Sequence, residues 1–127
     1  MNIHKSAEDY LEMILRLQES QEYVRAVDIS IGLSVTKPSV SVAMRNLKDS
    51  GYITIDKDNH IRLTDTGLSI AQKIYERHKL LTDLFTQIGV DPRTAEEDAC
   101  KVEHDLSTDT FAAIKQVYSR YNSKEAL

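Results

Sequence analysis

The sequence predicts a mainly α-helical protein with a small β wing, in which an N-terminal winged helix-turn-helix precedes a C-terminal helical dimerisation domain. Three observations support this fold class. Apolar residues recur at helical spacing along most of the chain, a short helix, a tight turn and a second helix lead directly into a hairpin, and further amphipathic helices follow. The 127 residues suit one domain or two very small ones. We expect the first domain to cover residues 1–64 and the second to cover residues 65–127.

The first half is predicted to form three helices and a hairpin. Residues 6–19 carry an apolar stripe, and residues 26–33 suit a short helix. Thr36 is a good N-cap for the next helix, which tolerates Pro38 in its first turn and runs to about Ser50, where Gly51 stops it. Two β-rich runs, 52–55 and 61–63, flank turn-forming residues and therefore indicate a hairpin.

Three more helices are predicted in the second half. Asp65 opens a long helix that reaches about Ile88 and ends at Gly89. A second helix begins at Asp91-Pro92 and continues to about Leu106, and a third covers roughly residues 109–120. Their apolar positions suit a dimer surface, although some of them must form the core of the monomer: Leu80, Leu84, Phe85, Ile88, Phe111, Ile114, Val117 and Tyr118.

Composition limits the classes of function. No apolar run approaches a membrane span and the first residues lack the apolar stretch of a signal peptide, so we expect a cytoplasmic protein without membrane contact. A single cysteine excludes an internal disulfide. The net charge of −4 argues weakly against nucleic-acid binding, but residues 23–48 hold four basic side chains against one acidic side chain. Such a basic face can bind DNA on an acidic protein.

The second helix of the helix-turn-helix is the candidate for reading DNA. Val40, Ala43, Met44 and Leu47 share one side and should pack inward. An outward Val42 suits contact with a thymine methyl group, although an ordinary exposed valine explains it equally well. The residues predicted to contact bases or phosphates are Arg25, Thr36, Lys37, Pro38, Ser39, Ser41, Val42, Arg45, Lys48, Lys57 and His60.

A second constellation suggests a metal site. Cys100, Glu103 and His104 stand at i, i+3 and i+4, and thiolate, carboxylate and imidazole are the main protein ligands of transition metals. Asp9 and Glu12 form a similar pair on the first helix, and His78 lies on the long helix. Each piece alone is weak, because acidic pairs usually solvate helices and a single cysteine is more often a buried small apolar residue.

The chain resembles the diphtheria-toxin-repressor family, and especially its short manganese-transport-regulator branch. The stretches that carry the resemblance are SAEDYLEMIL, VDISIGLSVTKPSVSVAMRNLKDSGYI, LTDTG, IYERHKLL and EDACKVEHDLS. The resemblance implies a homodimeric, metal-dependent repressor that binds double-stranded palindromic operator DNA, with Arg25 at a position that contacts the DNA backbone. It also implies the metal ligands Asp9, Glu12, His78, Cys100, Glu103 and His104, in a site that links the two halves.

Departures from the family pattern leave the metal open. Manganese-type members usually have Glu at the position of Cys100, whereas iron-type members have Cys there but Met at the position of Asp9, so this set is a hybrid. Thr82 and Glu96 stand where the ancillary site of iron-type members has a carboxylate and a histidine. We expect Fe²⁺ or Mn²⁺ as the effector, with Co²⁺, Ni²⁺ or Zn²⁺ able to bind in vitro. We also expect the chain to lack the SH3-like third domain of iron-type members.

Two other functions remain open from the sequence. A metal-independent winged-helix regulator could respond to a small molecule, with its acidic residues simply solvated. A hydrolase could use the Cys100, Glu103 and His104 cluster for metal-assisted hydrolysis, but that reading leaves the helix-turn-helix unexplained. We therefore expect a regulator rather than an enzyme, with no catalytic residues.

Overall fold

The structure, a computed structural model, describes residues 5–126 and confirms the predicted fold class. Within that range it contains six helices and one two-stranded antiparallel sheet, and none of these helices is long and apolar enough to cross a membrane. The chain forms two compact units that divide between Lys73 and Ile74. The elements are α1 (Lys5–Ser20), α2 (Ala26–Leu33), α3 (Lys37–Asp49), β1 (Ile53–Ile55), β2 (Ile61–Leu63), α4 (Asp65–Gln87), α5 (Pro92–Val102) and α6 (Thr108–Ala126).

The first unit is built around one apolar core that α1, α2, α3 and the hairpin share. Helical spacing places Leu11 and Ile14 of α1 on one face, and both are completely buried. The inward face of α3 is the predicted one, since Val40, Met44 and Leu47 are buried in the same cluster. This packing leaves the opposite face of α3 in solvent.

The turn before α3 is stabilised by local polar contacts. Ser34 adopts a left-handed conformation at φ +55°, and the Ser30 hydroxyl donates to the carbonyl of Val35 at 2.6 Å. Thr36 then caps α3, because its hydroxyl oxygen accepts from the backbone N–H of Ser39. The helix ends just before Gly51, whose φ of +84° suits glycine. Both predicted limits of this helix are confirmed.

The hairpin pairs Ile53 with Leu63 and Ile55 with Ile61. Its exit into α4 requires the absence of a side chain, since a Cβ atom on Gly67 would lie 2.0 Å from the carbonyl oxygen of Tyr52. That carbonyl accepts from the backbone N–H of Thr64 at 3.0 Å. The glycine of the LTDTG stretch therefore allows the start of α4 to pass directly over the base of the wing.

The second unit differs from prediction at the end of α5. The helix was expected to reach Leu106, but it ends at Val102, and residues 103–105 form a turn. Arg77 of α4 explains this end, because its Nη1 donates to the carbonyl oxygens of Glu103 at 3.0 Å and Leu106 at 2.6 Å. Because a side chain already donates to these carbonyls, no further helical turn is required to supply their hydrogen bonds. Glu103 and His104 consequently lie just beyond α5, not within it.

The apolar positions proposed for a dimer surface divide into three groups, of which the half-buried one contains Leu84, Phe85, Ile114 and Tyr118. Leu80 and Phe111 are buried within the chain, so they belong to the core. Ile88 and Val117 are 71% and 58% exposed, and Tyr121, which was not predicted, is 49% exposed. Large exposed apolar side chains on α6 and at the end of α4 give this unit a surface suited to covering by a partner.

Candidate metal centre and nucleic-acid interface

Three of the predicted ligands meet within the second unit. Nδ1 of His78, on α4, lies 2.9 Å from Oε2 of Glu103 and 3.7 Å from Sγ of Cys100, on α5. One ligand atom from each of these residues lies within 4.8 Å of the other two. Two ligands on opposite sides of one transition-metal ion, each about 2.1–2.3 Å away, would be separated by about 4.2–4.6 Å. The cluster therefore has the dimensions of a metal site.

Glu103 lies at the centre of this cluster. Its side chain has no solvent exposure, and Nε2 of His104 lies 3.4 Å from its Oε1. Among residues 5–126, no hydrogen bond to Oε1 was found. A buried carboxylate is costly unless a cation or hydrogen-bond donors compensate its charge. The buried Glu103 carboxylate therefore depends on the groups around it, among them His78 and His104, to compensate its charge.

His78 supplies part of that compensation as a proton. Hydrogen bonds to Cys100 and, to a smaller extent, to Glu103 raise the pKa of His78 to about 10, although burial by itself would lower it. The imidazole is therefore protonated near neutral pH. A metal ion that binds Nδ1 must displace this proton, because only the unprotonated nitrogen coordinates.

The donor set favours a transition metal. An imidazole, a thiol and a carboxylate combine one soft ligand with harder ones, unlike the all-oxygen shells of Mg²⁺ and Ca²⁺. Cys100 is exposed, which removes the alternative that it is a buried small apolar residue. Glu96 also approaches the cluster, with Oε1 3.9 Å from Nε2 of His78. The residues present therefore fit a first-row divalent ion.

Arg77 is a residue that sequence reasoning missed. In addition to its two hydrogen bonds to the 103–106 turn, its guanidinium lies over the Phe111 ring at 5.1 Å. In the sequence, His78 was selected as a candidate metal ligand, whereas an arginine between Glu76 and His78 resembles an ordinary surface residue. Arg77 and Glu103 are 26 residues apart in the sequence, so no local pattern indicates their contact.

Two of the remaining predicted ligands, Asp9 and Glu12, lie in the first unit. Asp9 and Glu12 occupy neighbouring positions on one face of α1, and Glu12 is buried. Nζ of Lys5 lies 3.1 Å from Asp9, and Nη1 of Arg16 lies 3.9 Å from Glu12. Both carboxylates thus have a cationic side chain nearby on their own helix.

The exposed face of α3 carries the predicted reading residues. Val42 is 54% exposed, which agrees with its predicted outward position and leaves both interpretations of it open. A shallow groove of about 320 Å³ separates α3 from the wing, and Arg45 and Lys48 border it. The other exposed predicted residues of this segment are Thr36, Lys37, Pro38, Ser39 and Ser41.

The predicted contacts outside α3 differ in their surroundings. Lys57 is exposed at the tip of the wing. Arg25 precedes α2, and its Nη2 lies 3.0 Å from Nε2 of His60. The His60 ring is half-buried and stacks on Tyr23 with ring centroids 4.1 Å apart. The structure therefore joins two residues that the sequence suggested separately.

Comparison with known families covers almost the whole chain. Residues 2–61 match the model described as the iron dependent repressor N-terminal DNA binding domain. Residues 64–124 match the iron dependent repressor metal binding and dimerisation domain.

Full-length relatives agree with this assignment. An uncharacterised helix-turn-helix-type transcriptional regulator of Methanocaldococcus jannaschii is 30% identical over 122 residues, which is 94% of this chain and 98% of the relative. The transcriptional regulator MntR of Listeria monocytogenes is 34% identical over 123 residues, or 96% of this chain and 87% of that protein.

Solved structures share the fold. A manganese-dependent transcriptional repressor in complex with manganese is 29% identical with a TM-score of 0.80, over 89% of this chain and 52% of that chain. IdeR of T. acidophilum is 24% identical with a TM-score of 0.78, over 96% of this chain and 55% of that chain. The chain thus spans about half the length of these two structural neighbours.

Proposed function

Because this chain belongs to the iron-dependent repressor family, we propose that it is a homodimeric repressor of metal-ion homeostasis whose operator binding requires Fe²⁺ or Mn²⁺. The single observation that carries the proposal is the convergence of His78, Cys100 and Glu103 on one point. A solvated acidic patch would not bury Glu103 completely. We keep the predicted division of the chain, with DNA binding in residues 1–64 and metal binding and dimerisation in residues 65–127.

The proposed ligand set combines residues of both units. His78, Cys100 and Glu103 form its core, and Asp9 and Glu12 are assigned as ligands from the family resemblance. His104 belongs to the set for the same reason, and its ring lies against the Glu103 carboxylate. A bound ion would offset the negative charge of the acidic residues in this set.

This arrangement makes metal binding a switch for DNA binding. Carboxylates of the two units repel one another when no cation lies between them, and an arrangement that the ion binds more tightly becomes more populated. The paired α3 helices of a dimer then match palindromic half-sites one DNA turn apart, about 34–36 Å. Linkage of this kind typically changes affinity by about 5–150-fold, and operator DNA tightens metal binding by the same factor.

The DNA contacts are assigned by position. The first turn of α3, with Lys37 and Ser39, enters the major groove together with Ser41 and Val42. Arg25, Arg45, Lys48 and Lys57 neutralise phosphates, and this part of the affinity falls steeply as salt increases. We therefore propose a cytoplasmic regulator whose metal cluster is regulatory rather than catalytic.

The decisive experiment is operator binding after chelation and metal return. Chelated protein should bind operator DNA weakly, and saturating Mn²⁺ or Fe²⁺ should restore binding at least fivefold. Glu103→Gln, which keeps the shape of the side chain but removes its charge, should lose this response. Equal binding by the chelated and metal-loaded wild type would instead favour the metal-independent regulator.

A second experiment distinguishes the two candidate metals. Mn²⁺ favours oxygen ligands, whereas a thiolate favours Fe²⁺ and Co²⁺, so Cys100 directs preference toward iron. Cys100→Glu recreates the manganese-type ligand set and should raise the response to Mn²⁺ relative to Co²⁺, an oxidation-resistant substitute for Fe²⁺. Cys100→Ser serves as the control for loss of sulfur alone. An unchanged preference in Cys100→Glu would show that the thiol is not a ligand.

A further inference from the structure

The wing and the start of α2 are joined by a chain of polar contacts that centres on His60. Its Nε2 lies 3.0 Å from Nη2 of Arg25, and its Nδ1 lies 3.3 Å from Oδ2 of Asp56. Tyr23 covers one face of the ring, with an interplanar angle of 14°. His60 therefore has a contact on each ring nitrogen and on one ring face.

These contacts select one tautomer of His60. A guanidinium group has donors only, so Nε2 must accept the hydrogen bond from Arg25. The ring proton then resides on Nδ1, which faces the acceptor Asp56. The order of the contacts is carboxylate, imidazole and guanidinium, with every donor facing an acceptor.

The backbone fixes both ends of this chain of contacts. Oδ1 of Asp56 accepts from the backbone N–H groups of Asp58 and His60, each at 2.9 Å, which shapes the tip of the wing. The N–H of Ile61 donates to the carbonyl of Val24 at 2.7 Å, which ties the second wing strand to the residue before Arg25. The Arg25 side chain, which is exposed, extends from this fixed backbone.

We propose that His60 is a positioning residue that holds the Arg25 guanidinium at the start of α2 for contact with an operator phosphate. Arg25 loses side-chain freedom when it binds a phosphate, and a hydrogen bond already made to Nε2 removes part of that loss before binding. His60 acts through Arg25 and makes no phosphate contact itself. The inference rests on the proposed DNA-binding function and deepens it, because it replaces the phosphate contact predicted for His60 with an indirect role.

Two substitutions at His60 separate its polar contacts from its stacking. His60→Gln places an amide oxygen near the position of Nε2 and can still accept from Arg25. His60→Phe keeps a flat ring against Tyr23 but has no acceptor. A structural role limited to stacking would tolerate Phe better than Gln, whereas the positioning role predicts the opposite order.

The measurement is operator affinity of the full-length protein against salt concentration, at saturating Mn²⁺. Each neutralised phosphate contributes about 0.9 to the slope of log K against log salt, so Arg25→Ala should lower the slope of a dimer by about 1.8. His60→Phe should reproduce at least half of that change, and His60→Gln should stay near the wild type. In the Arg25→Ala background, His60→Phe should have no further effect on affinity. Thermal unfolding of each variant verifies that the wing remains folded.

The possible outcomes distinguish a failure of the positioning role from a failure of the proposed DNA-binding function. If wild-type protein binds the operator and His60→Phe retains its full salt slope, the positioning role is wrong while the DNA-binding function stands. A further loss from His60→Phe in the Arg25→Ala background would equally overturn it, since it would show that His60 contacts DNA independently of Arg25. Failure of the wild type to bind DNA at any metal concentration would refute the proposed function itself.

Discussion

Removal of the Arg77 side chain should weaken both the fold of the second unit and its metal site. The Arg77 guanidinium donates to the carbonyls of Glu103 and Leu106 and lies over the Phe111 ring. Hydrogen bonds that involve a charged group contribute about 1.5–3 kcal/mol each, and the cation–π contact adds about 0.5–1 kcal/mol. Because water can reach this half-buried position and replace part of the loss, we expect Arg77→Ala to lower the free energy of unfolding by about 2–3 kcal/mol.

The same substitution should reduce metal affinity. Glu103 begins the turn that Arg77 holds, so the orientation of its carboxylate depends on that contact. Loss of a group that orients a metal ligand typically costs about 10–100-fold in affinity. Urea denaturation of the metal-free protein gives the stability change, and competition with a fluorescent chelator gives the affinity change. Arg77→Lys, which retains one charged donor, should fall between the wild type and Arg77→Ala.

A matched control separates this effect from general loss of positive charge. The Arg93 side chain is 89% exposed and its ion pair with Glu97 spans 3.7 Å. Exposed pairs of this kind contribute little, so Arg93→Ala should change stability by less than about 0.5 kcal/mol. If Arg77→Ala behaves like Arg93→Ala in both assays, the turn after α5 is held by its own backbone and our account of the Arg77 contact is incorrect.

Three further predictions concern other parts of the chain. His78, whose pKa is about 10, is protonated at neutral pH and must release that proton to bind metal, so metal affinity should rise at least about tenfold per pH unit between about pH 6.5 and 8; a metal affinity that does not change with pH would contradict this. In the metal-free protein, the stability that this proton contributes is lost as the pH rises through about 10. Gly67→Ala would bring Cβ within 2.0 Å of the Tyr52 carbonyl oxygen, and we expect a loss of about 1–3 kcal/mol in urea denaturation, against almost none for the exposed Thr66→Ala. Val117→Glu should shift the dimer toward monomer in sedimentation experiments, because it places a charge on the exposed apolar face of α6, and an unchanged dimer would remove this face from the interface.

The secondary structure of the first unit could be predicted closely from the sequence because the signals that determine it are local. Thr36 and Gly51 lie at the two ends of α3, and each acts through its own conformation or its immediate neighbours. The strand over residues 61–63 was predicted with its observed limits, whereas the other strand begins at Ile53, one residue later than expected. Such features depend on a few adjacent residues, which is the range over which sequence patterns are informative.

The second unit departed from prediction where distant residues decide the structure. Apolar spacing continues through Leu106, and no glycine or proline follows Val102, so the sequence indicated a longer α5. The helix ends earlier because Arg77 binds two carbonyls of the next segment. The spacing of Cys100 and Glu103 still identified the cluster, since one further residue past the end of a helix keeps nearly the helical direction.

The contact between Arg25 and His60 shows a different limit. Each residue was selected as a basic side chain suited to a phosphate, and the sequence contains nothing that distinguishes one role from the other. The two residues are 35 positions apart, and only the folded hairpin brings them together. Residue type predicted the surface on which both residues lie. Only the structure distinguishes the role proposed for His60 from that of Arg25.

The proposed metal ligands are unequally exposed, and this has a consequence for how each of them tolerates substitution. His78 and Glu103 are buried, so substitution of either must disturb packing as well as coordination. Cys100 is exposed, so a substitution there would disturb packing less, although it would remove the contact between Sγ and Nδ1 of His78. If Cys100 is a ligand as proposed, we expect substitution at position 100 to change the metal preference with less disturbance of packing than substitution of His78 or Glu103.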